Sequence, residues 1–493
     1  MDMKTNNAYL GLDIGGTGVK ASVFDRKGRM LGFSQQTYQP HISTQGHADI
    51  AIATIYEAAR KTVLEAVGQG GVRITAMAVV SQGQTFVSLD DSDQPLHPAI
   101  IWYDGRAKKE AAELCKRVAG IAHSGPVPHI ATIATAPKIL WLRRHHSARM
   151  RRARRFLLLP DYFAYRLTGM AVTDPNTASS TALCAEGVNE YDSATLAAAG
   201  IDEQQLSRIQ GCGTPISTLL PAVAGKWGLS AQTILVNGTN DQYAGALGSG
   251  NCRPRILSET TGTCQALVTL IKKVPRSKPP GLLFGRFPIG DYAFVLAYAK
   301  TAGVVLDWFR RELTPGCRFA ELDRRAAAVP IGCRGLTAIP HFDGLVSPQT
   351  RPEMRGALLG LTLSHTRADV YRALLESLAF SLRENLEYLD RKGFGVDVIR
   401  CIGGGARNNL WLQMKADVTG RPVEKPFVTE AAVFGAAMLA AKGYGAFTSL
   451  AEASAAFYRC RKTFCPNSGH QKAYQEPYAR YRRLKNKLLK TGE

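Results

Sequence analysis

Asp13 stands at the head of Asp13-Ile-Gly-Gly-Thr-Gly18, and a carboxylate set against small residues can hold phosphate. Glycine removes the side chain that would keep backbone N–H groups away from phosphate oxygens, and one carboxylate suits a hydrated magnesium ion held against the same oxygens. Leu10, Leu12 and Ile14 alternate into one strand, and Val19, Ser22 and Val23 begin another. Gly15 to Gly18 then form the turn of a hairpin. Alone, this pattern reads equally as a plain turn, so the weight falls on what else the chain carries.

A second carboxylate lies in Val236-Asn-Gly-Thr-Asn-Asp-Gln-Tyr243, where Asp241 opens a helix of small residues. An aspartate there ordinarily caps its helix. Its position just before the inferred domain boundary, however, turns it toward a cleft, where it can accept a hydroxyl proton during phosphoryl transfer. Further on, Cys401-Ile-Gly-Gly-Gly-Ala-Arg-Asn408 supplies a strand end, a run of glycines and then a helix. Such glycines leave a flat surface for an adenine ring, with Asn408 placed to hydrogen-bond its edge. Neither G-x-x-x-x-G-K-[ST] nor G-x-G-x-x-G occurs, which excludes a P-loop enzyme and an ordinary dinucleotide binder.

These groups need a large scaffold. At 493 residues the chain exceeds a single core, and domains at 1–250 and 251–493 are expected, with the linker close to 247–255. Composition is that of a globular protein, 45% hydrophobic and 20% charged. The longest apolar run, Ala431 to Ala441, is about half a membrane span, and the polar start has no apolar h-region. A soluble cytoplasmic protein with no membrane partner is expected. Ten cysteines scattered singly are expected as reduced thiols; Cys460 and Cys465 have a spacing that serves zinc, but no second pair completes four ligands.

The formal charge is +21, concentrated at Arg143, Arg144, Arg149, Arg151, Arg152, Arg154 and Arg155 and again from Arg480 to Lys490. Neither stretch interleaves aromatics, and no helix-turn-helix, zinc-finger or RNA-recognition pattern accompanies them. The reading is therefore a solvated basic face, useful for steering anionic ATP and phosphorylated products, with no nucleic-acid partner. The arginine run fits a homodimer contact and a solvated loop equally.

Strand-like and helix-like segments alternate, which is an α/β pattern. They include Thr75 to Val80, Arg106 to Val118, Thr135 to Arg144, Ile234 to Val236, Tyr292 to Ala297 and a long amphipathic helix from Arg367 to Lys392. Ile256-Leu-Ser-Glu-Thr-Thr-Gly-Thr263 echoes residues 10–17 without the aspartate. A duplicated fold with a cleft between its halves follows.

Together these segments resemble the FGGY family of carbohydrate kinases, with the closest likeness to xylulose kinases. The resemblance is carried by Asp13-Ile-Gly-Gly-Thr17, Ile101-Trp-Tyr-Asp-Gly-Arg106, Thr135-Ala-Pro-Lys-Ile-Leu-Trp141, Leu159-Pro-Asp-Tyr162, Thr260-Thr-Gly-Thr263, Gly356-Ala-Leu-Leu-Gly-Leu361 and Gly403-Gly-Gly-Ala-Arg-Asn408. It implies two ribonuclease-H-like domains of the actin, sugar kinase and chaperone ATPase superfamily, binding ATP, Mg2+ and a small sugar or polyol in the cleft between them. By the same resemblance Asp13 is the magnesium-organising carboxylate, Gly16 and Thr17 the first phosphate loop, and Thr261, Gly262 and Thr263 the second. Gly404, Gly405 and Asn408 match the adenosine site, and Asp241 matches the general base. Catalysis would consist of positioning and charge neutralisation, with domain closure excluding water.

One segment departs from the family. Xylulose kinases carry a Gly-Gln-Met-His-Gly stretch where this chain has Ser81-Gln-Gly-Gln-Thr85, so Gln84 falls where the family places a sugar-contacting histidine. Glutamine both donates and accepts toward a polyol. Gln82 and Gln84 are therefore the expected substrate-contacting amides, the alternative being a buried pair that ties two backbone segments. The arginine-glutamate pair of glycerol kinases is absent here, which disfavours glycerol. Trp102, Asp104 and Arg106 read best as a braced structural corner. The expectation is an ATP- and magnesium-dependent kinase of a small ketose, xylulose or a related ketopentose; ribulose, a sugar alcohol or a non-catalytic ATPase of the same fold are the rivals.

Overall fold

Each half of the chain is built on a hairpin whose two strands lie at the centre of a mixed sheet. The computed structural model describes residues 7–119, 121, 130–184, 190–287, 289, 290 and 292–491. The polar start at 1–6, read above for the lack of a signal, lies outside the described residues. The first sheet contains β1 (Ala8–Ile14), β2 (Gly18–Asp25), β3 (Met30–Thr37), β4 (Ile74–Ser81), β5 (Pro215–Thr218) and β6 (Ile234–Val236), in the order β5-β6-β4-β1-β2-β3. β1 and β2 pair antiparallel, whereas β4 and β6 follow in parallel on the other side.

Alternation decides the faces of β1. Leu10, Leu12 and Ile14 share one core with Ile55, Ala59 and Val63 of α1 (Ile52–Gly70), all fully buried; each such leucine contributes about 1.5–3 kcal/mol relative to exposure. Gly11 points the other way, against α2 (Ala431–Gly443), where an added Cβ would lie 1.9 Å from the Val433 carbonyl oxygen. A Cβ on Gly435 of that helix would likewise lie 2.0 Å from the Ala244 carbonyl oxygen. Phe24 and Phe434 add an aromatic contact at 4.7 Å.

The second sheet repeats the plan with β7 (Ile256–Thr261), β8 (Gln265–Ile271), β9 (Ala293–Ala299), β10 (Val398–Ile402), β11 (Val423–Pro426) and β12 (Cys460–Phe464), neighbours in the order β9-β8-β7-β10-β11-β12. β7 and β8 form the antiparallel hairpin, and β7 runs parallel to β10 and β10 to β11. The long helix is α3 (Arg367–Arg391), opened by a capping box between Thr366 and Asp369. Its buried stripe includes Leu374, Leu378, Leu382 and Leu386.

The chain divides into one unit of Met1–Gly250, Gly285–Gly290 and Ala432–Phe457, and a second of Asn251–Phe284, Asp291–Ala431 and Tyr458–Glu493. The first unit takes in 432–457 because the glycine contacts of α2 with β1 join residues more than four hundred apart.

The arginine run is largely engaged. Arg144 pairs with Glu113 at 2.5 Å and Arg152 with Asp90 at 2.6 Å, while Arg155 lies over the Tyr165 ring at 4.8 Å. All ten cysteines are free thiols. Among the described residues no helix is long and apolar enough to cross a membrane.

Candidate active site

Three parallel strands run toward one edge of the first sheet. Ile14 closes β1 beside Ser81 of β4, and Ser81 bridges Asn240, just past β6. The Ser81 hydroxyl and the Gln82 N–H both donate to the Ile14 carbonyl, at 3.0 and 3.2 Å, which locks the strand ends together. Loops leaving such ends are where open α/β sheets bind ligands. Asp13, Gln82 and Asp241, far apart in sequence, thereby share one edge.

The first glycine turn is stiff. Gly15 N–H donates to Gly18 O at 2.9 Å and the Tyr38 hydroxyl to Gly15 O at 2.5 Å. Gly18 is required by close approach, since a Cβ there would lie 2.6 Å from Gln36 O. Gly16 faces Gln82, whose Oε1 would be 3.1 Å from a Cβ at that glycine; Thr17 is exposed. Burial, reinforced by the charge of Asp13, raises the Tyr38 phenol, so it stays a donor.

The segment from Ser81 to Thr85 is pinned by its backbone and leaves the Gln82 amide unspent. Gln82 is only 4% exposed, and neither atom of its amide has a hydrogen-bond partner among the described residues. A purely structural tie would show those bonds, and leaving them unmade costs about 1–3 kcal/mol. Gln84 adopts φ +57°, uncommon for a residue other than glycine, while its carbonyl accepts the Thr135 hydroxyl at 3.1 Å. Gly83 allows the segment to dock: a Cβ would lie 2.8 Å from Asn240 Nδ2 and 3.1 Å from the Ser180 hydroxyl.

Asp241 does not cap its helix, contrary to the simplest reading of its position. Asn240 is the cap, with Oδ1 accepting the Gln242 N–H at 2.9 Å, and Asp241 is the first helical residue of the segment Asp241–Gly248. The amide took the capping task that sequence alone assigned to the carboxylate. Burial lifts the Asp241 carboxyl from 3.8 to about 6, against a lowering by the backbone and side chain of Gln242. A carboxylate so placed is a usable base near neutral pH.

The Trp102–Arg106 corner is structural. Arg106 pairs with Asp104 and Asp49, each at 2.8 Å, and its guanidinium lies 5.1 Å from the centroid of the Trp141 ring. Beneath it the buried Lys138 ammonium donates to the carbonyls of Ile101, Trp102 and Ile133 at 3.0, 2.7 and 3.0 Å.

In the second unit the loop after β7 and the loop after β10 meet. A Cβ on Gly405 would strike Thr261 Cβ at 2.7 Å, and one on Gly403 would lie 3.0 Å from Thr261 O. Gly404 is nearby, 3.7 Å by the same measure from that oxygen. Thr261 is buried and gives its hydroxyl to Glu259, whereas Gly262 and Thr263 are exposed. Asn408 is a helix cap: its Oδ1 accepts the Trp411 N–H at 2.9 Å at the head of α4 (Asn409–Thr419), and its Nδ2 donates to Asp323 at 2.7 Å. The amide expected to read an adenine edge is thus already held on both sides.

Gly303 escaped the sequence reading. Its N–H donates to Gly262 O at 3.0 Å, and a Cβ there would lie 2.3 Å from the same oxygen, so only glycine lets this backbone support the 260–264 loop. The small-residue run Thr301-Ala-Gly303 was the available signal.

Among the described residues no group of three or more histidine, cysteine, aspartate or glutamate side chains could hold a metal ion by itself. Magnesium does not demand such a cage; it takes one or two carboxylates and completes its shell with water and substrate phosphate. Asp13 beside the glycine turn fits that donor set.

Residues 8–248 match the N-terminal domain of the FGGY family of carbohydrate kinases, and residues 261–444 match the C-terminal domain. The chain belongs to the FGGY family. It is 28% identical to the xylulose kinase of Bacillus subtilis (strain 168), with 96% of each chain covered. It is 30% identical to the glycerol kinase of Dechloromonas aromatica (strain RCB), with 95% of each covered. The crystal structure of a xyloylose kinase from Brucella ovis superposes with a TM-score of 0.86 at 25% identity, covering 98% of this chain and 100% of that one. This FGGY kinase is therefore a phosphotransferase with an alcohol group as acceptor, related to xylulose kinases and also to glycerol kinases.

Proposed function

We propose that this FGGY kinase transfers the γ-phosphoryl group of ATP to a hydroxyl of a small ketose, D-xylulose or a related ketopentose, in the cytoplasm. The observation that carries the reading is Asp241: released from capping by Asn240, raised to about 6 by burial, and set on the same sheet edge as the glycine turn of Asp13. Gln82 and Gln84 bind and orient the acceptor. The orphaned amide of Gln82 supports that role, since a polyol hydroxyl can satisfy both of its atoms. Xylulose is favoured by the Bacillus subtilis relative.

Asp241 accepts the acceptor hydroxyl proton at a carboxylate oxygen as that hydroxyl's oxygen attacks phosphorus in line with the leaving ADP. Gly16 and Thr17 of the first loop, and Gly262 and Thr263 of the second, hold the phosphates through backbone groups that no side chain obstructs. Thr261 acts from behind the second loop, its hydroxyl being turned inward. Gly404 and Gly405 present backbone to the adenosine, and Asn408 secures that turn through its cap. Asp13 would hold Mg2+, which neutralises charge on the β- and γ-phosphates when bound.

The test is ADP release by purified protein with MgATP across xylulose, ribulose, other ketoses, sugar alcohols and glycerol, beside Asp241→Ala. Turnover with a ketopentose that disappears in the variant is the expected result. Turnover confined to glycerol or a sugar alcohol would move the substrate; no stimulation by any acceptor would overturn the transfer reading.

A further inference from the structure

Glu259 and Lys415 are both fully buried and form an ion pair at 2.8 Å inside the second unit. Burying two charges ordinarily costs more than their attraction returns, and an apolar pair of the same volume is often as stable. Their surroundings show what they are attached to. Glu259 lies on β7, two residues before Thr261. Its Oε1 accepts the Thr261 hydroxyl and, at 2.8 Å, the Gln265 amide from the far side of the same loop. The carboxylate therefore grips both ends of 261–265.

Lys415 reaches the opposite wall. Its ammonium lies 3.4 Å from the Thr261 hydroxyl and 3.9 Å from the centroid of the Trp411 ring, one helical turn back on α4. That ring is held by an indole N–H bond to Leu375 O at 3.1 Å, and its Cζ3 would be 3.1 Å from a Cβ on Gly405. Thr261 stands against the same glycine. A single chain of contacts thus runs from the 261–265 loop through Glu259, Lys415 and Trp411 to the 403–405 loop.

We infer that the Glu259–Lys415 pair is a positioning device that fixes the 261–265 loop against the 403–405 loop in the geometry that receives a nucleotide. The inference rests on the nucleotide reading of those loops. An ion pair with several further hydrogen bonds is directional where an apolar contact is not, and so it specifies one register between two loops that carry few side chains of their own. Neither residue touches nucleotide or acceptor; each acts through Thr261 and Trp411.

The experiment compares wild type, Thr261→Val, Glu259→Gln, Lys415→Met and the Glu259→Gln/Lys415→Met double variant by calorimetric titration with ADP, thermal melting, and KM for ATP and for the acceptor. Thr261→Val keeps volume and leaves the ion pair in place, and it is expected to lower ADP affinity about 3- to 10-fold with a fall in melting temperature smaller than that of either single charge variant. The single charge variants melt lower, because each leaves a buried charge unpaired. The uncharged double variant is expected to regain melting temperature while ADP affinity and KM for ATP stay at least about 10-fold impaired and KM for the acceptor is unmoved. Recovery of ADP affinity together with melting temperature, or unchanged affinity in Thr261→Val, would overturn the inference and leave the pair a stability element. Failure of the wild type itself to bind ADP would instead overturn the nucleotide reading, and the inference with it.

Discussion

Acidification isolates the one carboxylate on which the transfer reading depends. With its carboxyl raised from 3.8 to about 6, Asp241 is half ionised at pH 6. It is about nine-tenths ionised at pH 7 and only about one-tenth at pH 5, where an unperturbed aspartate would still be about nine-tenths ionised. If Asp241 is the base, kcat/KM for the acceptor falls about tenfold per unit below pH 6. At pH 5 it retains about a tenth of its plateau, not the near-full activity of an ordinary carboxylate. The measurement is initial-rate ADP release from pH 4.5 to 8.5 at saturating MgATP, so that the donor remains bound and the profile reports the acceptor step. Asp241→Asn should lose about 10²- to 10⁴-fold in kcat. It should also melt higher than wild type above pH 6: a carboxyl whose folded pKa is raised stabilises the fold below about pH 3.8, and that contribution is lost as the pH rises through 6. A rate profile flat down to pH 5, or an Asp241→Asn enzyme within tenfold of wild type, would refute the assignment.

Gln82→Leu removes a buried amide that makes no bond, so stability should hold or rise, by up to about 1–3 kcal/mol, while kcat/KM for the acceptor falls at least tenfold; a loss of stability with normal kinetics would return Gln82 to a structural role. Gly405→Ala pushes a methyl 2.7 Å from Thr261 Cβ and is expected to cost about 1–3 kcal/mol and raise KM for ATP but not for the acceptor. Gly262→Ala meets nothing within 4 Å and should melt like wild type, so any rise in its KM for ATP reports phosphate at that backbone. Buried His97, lowered from 6.5 to about 4, accepts the Ser88 N–H and contacts Pro98 O at 2.7 Å. Its contribution is present above pH 6.5 and lost as the pH falls toward 4, at up to about 1.4 kcal/mol per unit; in urea melts wild type should lose more stability between pH 7 and 5 than His97→Gln does, and equal losses would disprove it. Chelation of magnesium should abolish turnover, restored by added Mg2+, with melting temperature unchanged; undiminished turnover in excess chelator would remove Asp13 from metal binding.

The sequence by itself determined the repeating local plan. Alternation at Leu10, Leu12 and Ile14, and its echo from Ile256 to Thr261, depends only on side chains within a few residues, as does the long stripe of Arg367–Arg391. Glycine clusters mark tight turns for the same local reason, which is why both loop regions are legible in the sequence. Nothing local marks Glu259, between Ser258 and Thr260, or Lys415, two residues before Asp417, as a buried pair; the fold alone joins them.

Only the tertiary structure decided how the pieces are used. Asn240 and Asp241 are adjacent and both suit a cap; the backbone path into the helix chose the amide and left the carboxylate out of the capping bond. The motifs around Asn408 and Thr261 do not reveal that their side chains bond Asp323 and Glu259, at 85 and 2 residues' remove. Gly11, Gly303 and Gly435 are indispensable because of backbones that approach from distant segments, and that closeness has no trace in local pattern. Hydrogen bonding and steric exclusion act between whichever groups the fold brings within a few ångströms, whereas periodicity reports only which face each residue turns inward.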